Sequence, residues 1–288
     1  LLLASVSSLV AGSMPNVLWV VVEDQSKHYG FNGEALVKTP VLDKLCKDGV
    51  RFANASVTAP VCSTSRSALI TGMFQTSIGA HHHRSGRGQM KIQKPAHVKL
   101  IPELFKKAGY YTCLGTIGHV SGTINPKHKS RLGKSDYNFE WDPSVFDAGE
   151  WSGRKKGQPF FAKICLSGGK ARSQARSSKE IPHIEASKVT LPPYYPRHPE
   201  VLEDWAAYLD TFSLMDKQVG QIVDRLKKEG EFENTVLFFI TDHGVSHARG
   251  KQFCYDEGMI IPFFVHAPGR VKGGMVRKDP VLHIDLAA

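Results

Sequence analysis

Cys62 is the centre of a stretch whose residue types could do chemistry: Asn54 to Gly72 reads NASVTAPVCSTSRSALITG. A loop passes here into a helix, with the cysteine at or near its first turn. Free N–H groups and the positive end of the helix dipole favour an anion there. Arg66 lies one turn further on, with a planar fork suited to a tetrahedral oxyanion. The competing reading of this pair alone is a buried free cysteine beside a surface arginine. Two further groups stand at the ends of apolar runs. Asn16 to Val22 (NVLWVVV) ends in Glu23-Asp24, and Thr235 to Thr241 (TVLFFIT) ends in Asp242-His243. Both runs read as strands buried on both faces of a parallel sheet. Open α/β sheets bind ligands at the carboxyl ends of their strands, so acids from two such strands can meet at one hard cation.

Cys-Ser-Thr-Ser-Arg followed by Ser-Ala-Leu-Ile-Thr-Gly resembles the signature of type I sulfatases, members of the alkaline phosphatase superfamily related to arylsulfatases and heparan N-sulfatases. The resemblance covers most of the chain from about Asn16 onward. It implies that Cys62 is oxidised by a formylglycine-generating enzyme, and that the hydrated aldehyde is the nucleophile. It also implies one calcium ion held by Glu23, Asp24, Asp242, His243 and the modified residue 62, with His243 among the catalytic residues. Lys134, in Gly-Lys-Ser-Asp, and Lys251, before Tyr255, match the family's sulfate-facing lysines. Lys170 stands near a position where many sulfatases carry a histidine. Three positions depart from the family pattern: Thr64 replaces Pro, Glu23 replaces Asp, and Asp136 stands where His is expected. His119 or His128 is the expected substitute for that histidine, with His119 assigned to substrate binding.

The positioning elements follow from periodicity. Thr39-Pro40 starts a helix, with Thr39 as its N-cap, that ends at Gly49. Lys99 to Ala108 reads as a helix, Tyr110 to Leu114 as a strand, and 115–131 as an inserted loop without period. Pro159 to Ser167 is another buried strand, ending in Gly168-Gly169-Lys170. Glu200 to Glu229 carries apolar residues at helical spacing over about eight turns and packs on the sheet. The run His81-His82-His83 reads as a polar loop lining the cleft. Strands alternating with helices predict an α/β fold, with a mainly parallel, mixed sheet sandwiched by helices. The resemblance makes this fold alkaline-phosphatase-like, with a smaller C-terminal subdomain absent from this chain.

The 288 residues carry a formal charge of +10, which points to an anionic partner. Zinc-finger spacing and RNA-binding aromatic signatures are absent from the sequence, so an anionic substrate is preferred to nucleic acid. Five scattered cysteines exclude a dense disulfide framework. Residues 1–13, opening LLLASVSSLVAG, read as the remnant of a signal peptide too short to span a bilayer. That reading implies export, whether secreted, periplasmic or lysosomal. Residues 14–288 then form the N-terminal catalytic domain, truncated at its C-terminal end. The expected activity is hydrolysis of sulfate esters or N-sulfates of a small molecule or glycan. The alternatives are a phosphomonoester or phosphonate hydrolase of the same superfamily, and a non-catalytic protein that binds anionic glycans.

Overall fold

The computed structural model describes residues 14–84 and 91–287; the signal-peptide reading of residues 1–13 lies outside them. In chain order the strands and α-helices are β1 (Asn16–Val22), α1 (Pro40–Lys47), β2 (Val50–Ser56), α2 (Cys62–Thr71), α3 (Ile101–Lys107), β3 (Tyr111–Thr116) and α4 (Ile117–Ser121). Then follow β4 (Phe160–Leu166), α5 (Arg172–Ser177), α6 (Pro199–Lys228), β5 (Thr235–Thr241), α7 (Asp256–Met259), β6 (Phe263–His266) and β7 (Met275–Leu282). The strands make one mixed sheet in the order β3-β4-β1-β5-β6-β2-β7. All pairings are parallel except the two that β6 makes, with β5 and β2.

The three central strands set the site. On β1, Val22 pairs with Leu166 of β4 on one side and with Thr241 of β5 on the other. Glu23-Asp24, Ser167 to Lys170 and Asp242-His243 therefore leave the sheet side by side at its carboxyl edge. Alternation along β1 feeds two cores. Leu18, Val20 and Val22 pack with Phe212, Met215 and Val219 of α6, and Trp19 and Val21 pack on the opposite face with Leu69 and Ile70 of α2. Truncating a fully buried ring such as Phe212 to alanine costs about 3–5 kcal/mol.

Three local expectations need correction, and one strand was not foreseen. Thr39 is the N-cap of α1, but its hydroxyl donates to Asp43 (2.8 Å) rather than accepting from the helix. The free N–H groups of Val41 and Leu42 donate instead to Asp216 of α6, at 3.3 and 2.7 Å. Helix α3 starts at Ile101 rather than Lys99, because Leu100 is extended. The 115–131 stretch is not a featureless loop: β3 runs on to Thr116, and α4 and a 3-10 turn at Pro126–His128 follow. Strand β7 lacks the alternation of a buried strand and was not expected. Its Pro280 and charged residues suit the edge position it occupies beside β2.

Candidate active site

Cys62 is the first residue of α2, and it is fully buried against the ends of β1 and β5. Its Sγ lies 3.2 Å from His243 Nε2, 3.0 Å from Lys251 Nζ and 3.9 Å from Asp24 Oδ1. One ligand atom each from Asp24, Cys62, Asp242 and His243 can be chosen so that all four lie within 4.8 Å of one another. The arrangement is held from the backbone outward. The Asp24 N–H donates to Asp242 Oδ1 (3.1 Å), with Asp24 in the left-handed region at φ 53°. His243 Nδ1–H donates to the Gly244 carbonyl (2.8 Å), which turns Nε2 toward Asp24 Oδ1 at 3.1 Å.

Arg66 does not open onto this cluster. It is fully buried behind it, with Nε and Nη2 each 2.9 Å from Asp242 Oδ2 and Nη1 3.3 Å from Cys165 Sγ. The one-turn spacing from Cys62 puts it beneath the cysteine, where it neutralises a carboxylate instead of facing solvent. The lysines supply the open side. Lys251 Nζ contacts both oxygens of Asp24, at 3.1 and 3.2 Å. Lys170 bonds Glu23 and lies 3.8 Å from both Asp24 Oδ1 and Cys62 Sγ. Lys134 Nζ is 2.7 Å from Glu23 Oε2 and 3.5 Å from Asp136. Glu23 is thus drawn to lysines and stands outside the four-residue group.

Charge is concentrated here. Burial works against an ionised Asp24, but His243, Lys251 and Lys170 outweigh it and hold the carboxyl well below its usual range. Burial likewise opposes a charged imidazole at His243; Asp242, Asp24 and Cys62 reverse this and raise its pKa to about 10. The Cys62 thiol is lowered despite burial, chiefly by the contact with His243. Lys170 and Lys251 are raised against burial, with Asp24 the leading cause in each.

The donor set fits a divalent cation. Two buried carboxylates and an imidazole converge within reach of one point, and the dominant oxygen chemistry suits a hard ion. The thiol at position 62 is the one soft donor; an oxygen there would complete the set.

His119 is not brought into this group. Its Nδ1 accepts from the Thr116 N–H (3.2 Å), its Nε2 donates to the Arg131 carbonyl (2.8 Å), and its ring packs where a Cβ on Gly149 would fall. It closes the 115–131 stretch on itself. His128 is exposed. From the histidine run, His83 Nδ1 reaches the Ser63 hydroxyl at 2.8 Å, which ties that loop to the first turn of α2.

Several supporting residues escape pattern reading. Ser65 Oγ donates to the Asp242 carbonyl (2.5 Å), and buried His283 Nε2 lies 2.9 Å from the Ser65 carbonyl. Gly168, at φ 50°, and Gly169 let β4's exit pack on the residues that leave β1. A Cβ would sit 1.9 Å from the Glu23 carbonyl oxygen at the first and 2.2 Å from that of Asp24 at the second. Lys163 of β4 is fully buried with Nζ 3.3 Å from the Tyr137 hydroxyl, and burial lowers its pKa to about 8.

The fold and this cluster define a member of the sulfatase family: the chain belongs to it, since the Sulfatase family model matches residues 15–288. An ulvan-active sulfatase of Formosa agariphila is 29% identical, over 95% of this chain and 51% of that protein. The mouse (Mus musculus) N-acetylgalactosamine-6-sulfatase is 25% identical, over 96% and 62%. The phosphonate monoester hydrolase of Agrobacterium radiobacter shares the fold, with a TM-score of 0.65 at 16% identity over 94% of this chain and 72% of that one. The chain spans about half the length of the ulvan-active sulfatase it matches.

Proposed function

We propose that this chain carries the catalytic site of a hydrolase that cleaves sulfate from an anionic glycan or a related sulfated molecule. The observation that supports this most is the meeting of Cys62, Asp24, Asp242 and His243 under Lys170 and Lys251. In this reading a maturing enzyme converts Cys62 to formylglycine. One hydroxyl of the hydrated aldehyde would attack sulfur and displace the substrate's alcohol or amine, which takes up a proton. Deprotonation of the second hydroxyl would then re-form the C=O bond, break the C–O bond to sulfate and release it, and water would rehydrate the aldehyde. Asp24, Asp242 and His243 would hold a divalent cation, calcium by the oxygen character of the set, together with the oxygen of modified residue 62. When bound, that ion supplies positive charge to a sulfate oxygen.

The chain's own residues do the rest. Arg66 keeps Asp242 ionised and oriented. Lys170 and Lys251, charged and adjacent to position 62, neutralise charge that develops on the sulfate oxygens and the leaving group. Lys134 acts one step further out, through Glu23. Export of the protein rests on the reading of residues 1–13, and among the described residues no helix is long and apolar enough to cross a membrane.

The test is sulfate and phosphate release by the full-length protein, produced with a maturing enzyme and calcium. Faster hydrolysis of 4-nitrophenyl sulfate than of 4-nitrophenyl phosphate is expected. The reverse order would assign the site to phosphate or phosphonate esters. Hydrolysis of neither these nor sulfated oligosaccharides would leave a glycan-binding protein.

A further inference from the structure

The loop between β5 and α7 delivers Lys251 to Cys62, and the same loop bears an outward-facing group that no step above uses. Arg249 and Gln252 hold φ of 64° and 73°, left-handed conformations uncommon for residues other than glycine. Such strain persists where neighbouring contacts over-determine it. Here the Lys251 N–H donates to the Val245 carbonyl and the Gln252 N–H to the Pro60 carbonyl, each at 2.7 Å.

Arg249 is exposed, and its guanidinium lies over two rings, 4.1 Å from the Tyr255 centroid and 4.8 Å from that of Tyr194. Phe253 extends the row, with its ring 6.4 Å from Tyr255 and inclined by 21°. Three of the eight exposed large hydrophobic side chains among the described residues are Tyr194, Phe253 and Tyr255. No carboxylate forms an ion pair with Arg249 among the described residues. The donor edge of the guanidinium therefore has no anionic partner among the described residues.

We propose that Tyr194, Arg249, Tyr255 and Phe253 form a subsite for the sugar units next to the sulfate in a polyanionic, sulfated oligosaccharide. This rests on the sulfate-ester reading of Cys62 for its placement, and it names the kind of substrate that reading leaves open. Flat rings stack on the CH faces of sugars, and the guanidinium edge donates to a sulfate or carboxylate in a bidentate manner. Cation–π contact with both rings holds Arg249 in place, which lowers the ordering needed on binding. The location fits an extended substrate. Arg249 lies two residues from Lys251, so their backbones are at most about 7 Å apart, and Lys251 Nζ sits 3.0 Å from Cys62 Sγ, so one loop carries both the row and a lysine of the site. A net charge of +10 draws such a chain toward the protein.

The experiment measures equilibrium binding of end-labelled hexasaccharides from a sulfated galactan, chondroitin sulfate and heparin to the full-length protein. Arg249→Ala, Tyr255→Ala and Tyr255→Phe are compared with the unchanged protein, and turnover of 4-nitrophenyl sulfate is followed in parallel. At least one hexasaccharide should bind, and Arg249→Ala and Tyr255→Ala should each weaken it roughly tenfold, in line with loss of one good contact. Tyr255→Phe, which keeps the ring, should bind within about twofold of the unchanged protein and also shows that the loop still folds. Equal binding by all four proteins, or binding of none of the three sugars, overturns the subsite. Loss of 4-nitrophenyl sulfate turnover in the unchanged protein, with ring-dependent binding intact, overturns the hydrolytic reading and leaves the subsite standing.

Discussion

The two sides of the site are built differently. Asp24, Asp242, His243 and Arg66 are all but fully buried, and the strand register that joins β1 to β5 holds the first three. Lys134, Lys170 and Lys251 are part-exposed and come from loops that leave the sheet after β3, β4 and β5. The buried side is geometry imposed by the sheet, suited to holding an ion whose position must not vary. The lysine side is a set of long, hydrated arms that can meet the oxygens of an incoming anion. Mutations on the first side should therefore damage stability and turnover together, and mutations on the second should damage turnover alone.

The largest effect is expected at Asp242. Asp242→Ala leaves Arg66 buried without its main partner and removes a proposed cation ligand. Breaking such a pair costs about 3–5 kcal/mol of stability, and turnover should vanish. Removal of the ion by a chelator should lower the melting temperature of the unchanged protein, because a ligand that binds only the native state stabilises it by mass action. In Asp24→Asn the same treatment should change little. A melting curve indifferent to chelation in the unchanged protein would break the contrast on its buried side.

Lys251→Ala comes next. Removal of one charge-stabilising donor from a site of this kind costs about two to three orders of magnitude in rate, while stability should fall less than in Asp242→Ala, because Lys251 is part-exposed. Lys134→Ala, which touches Glu23 and not Cys62, should lose less turnover than Lys251→Ala. Rate assays beside melting curves decide this; equal loss at both lysines would place Lys134 on the substrate.

Gly169→Ala sharpens the comparison at the junction of the two sides. The added Cβ would meet the Asp24 carbonyl oxygen at 2.2 Å, so the Lys170 loop must shift. Overpacking of this kind costs about 1–3 kcal/mol, and turnover should fall with it.

The smallest effect is a pH dependence at Lys163. Its native pKa of about 8 lies below the ordinary value of 10.5. Between these two pH values the unfolded chain binds more protons than the native protein, so this group makes stability rise with pH across that window. Lys163→Met should flatten that rise and stabilise the protein at pH 7 by about 1 kcal/mol. Denaturant melts at pH 7 and pH 10 test both.

What could be read from the sequence follows the same division. Strands β1 and β5 and helix α6 were legible because continuous apolar runs and a long helical stripe leave little choice of partner. The acids after β1 and β5 were legible because a buried parallel strand must deliver its next residue to the ligand edge. Arg66 was legible as part of the site but not in its direction, since spacing along a helix fixes a face and not what lies under it. Ser65 and His283 could not be found, because their contact joins segments 218 residues apart. His119 was misplaced, since a short-range cap to Thr116 and the Arg131 carbonyl cannot be told from a site histidine in a stretch without period.

The most direct test of the account is the mass of the peptide containing residue 62, taken from full-length protein produced with a maturing enzyme and shown to release sulfate. The account predicts a residue in which the sulfur has been replaced by an aldehyde oxygen, in a fraction of molecules that tracks the specific activity. An intact cysteine thiol throughout a preparation that turns over sulfate esters would contradict it.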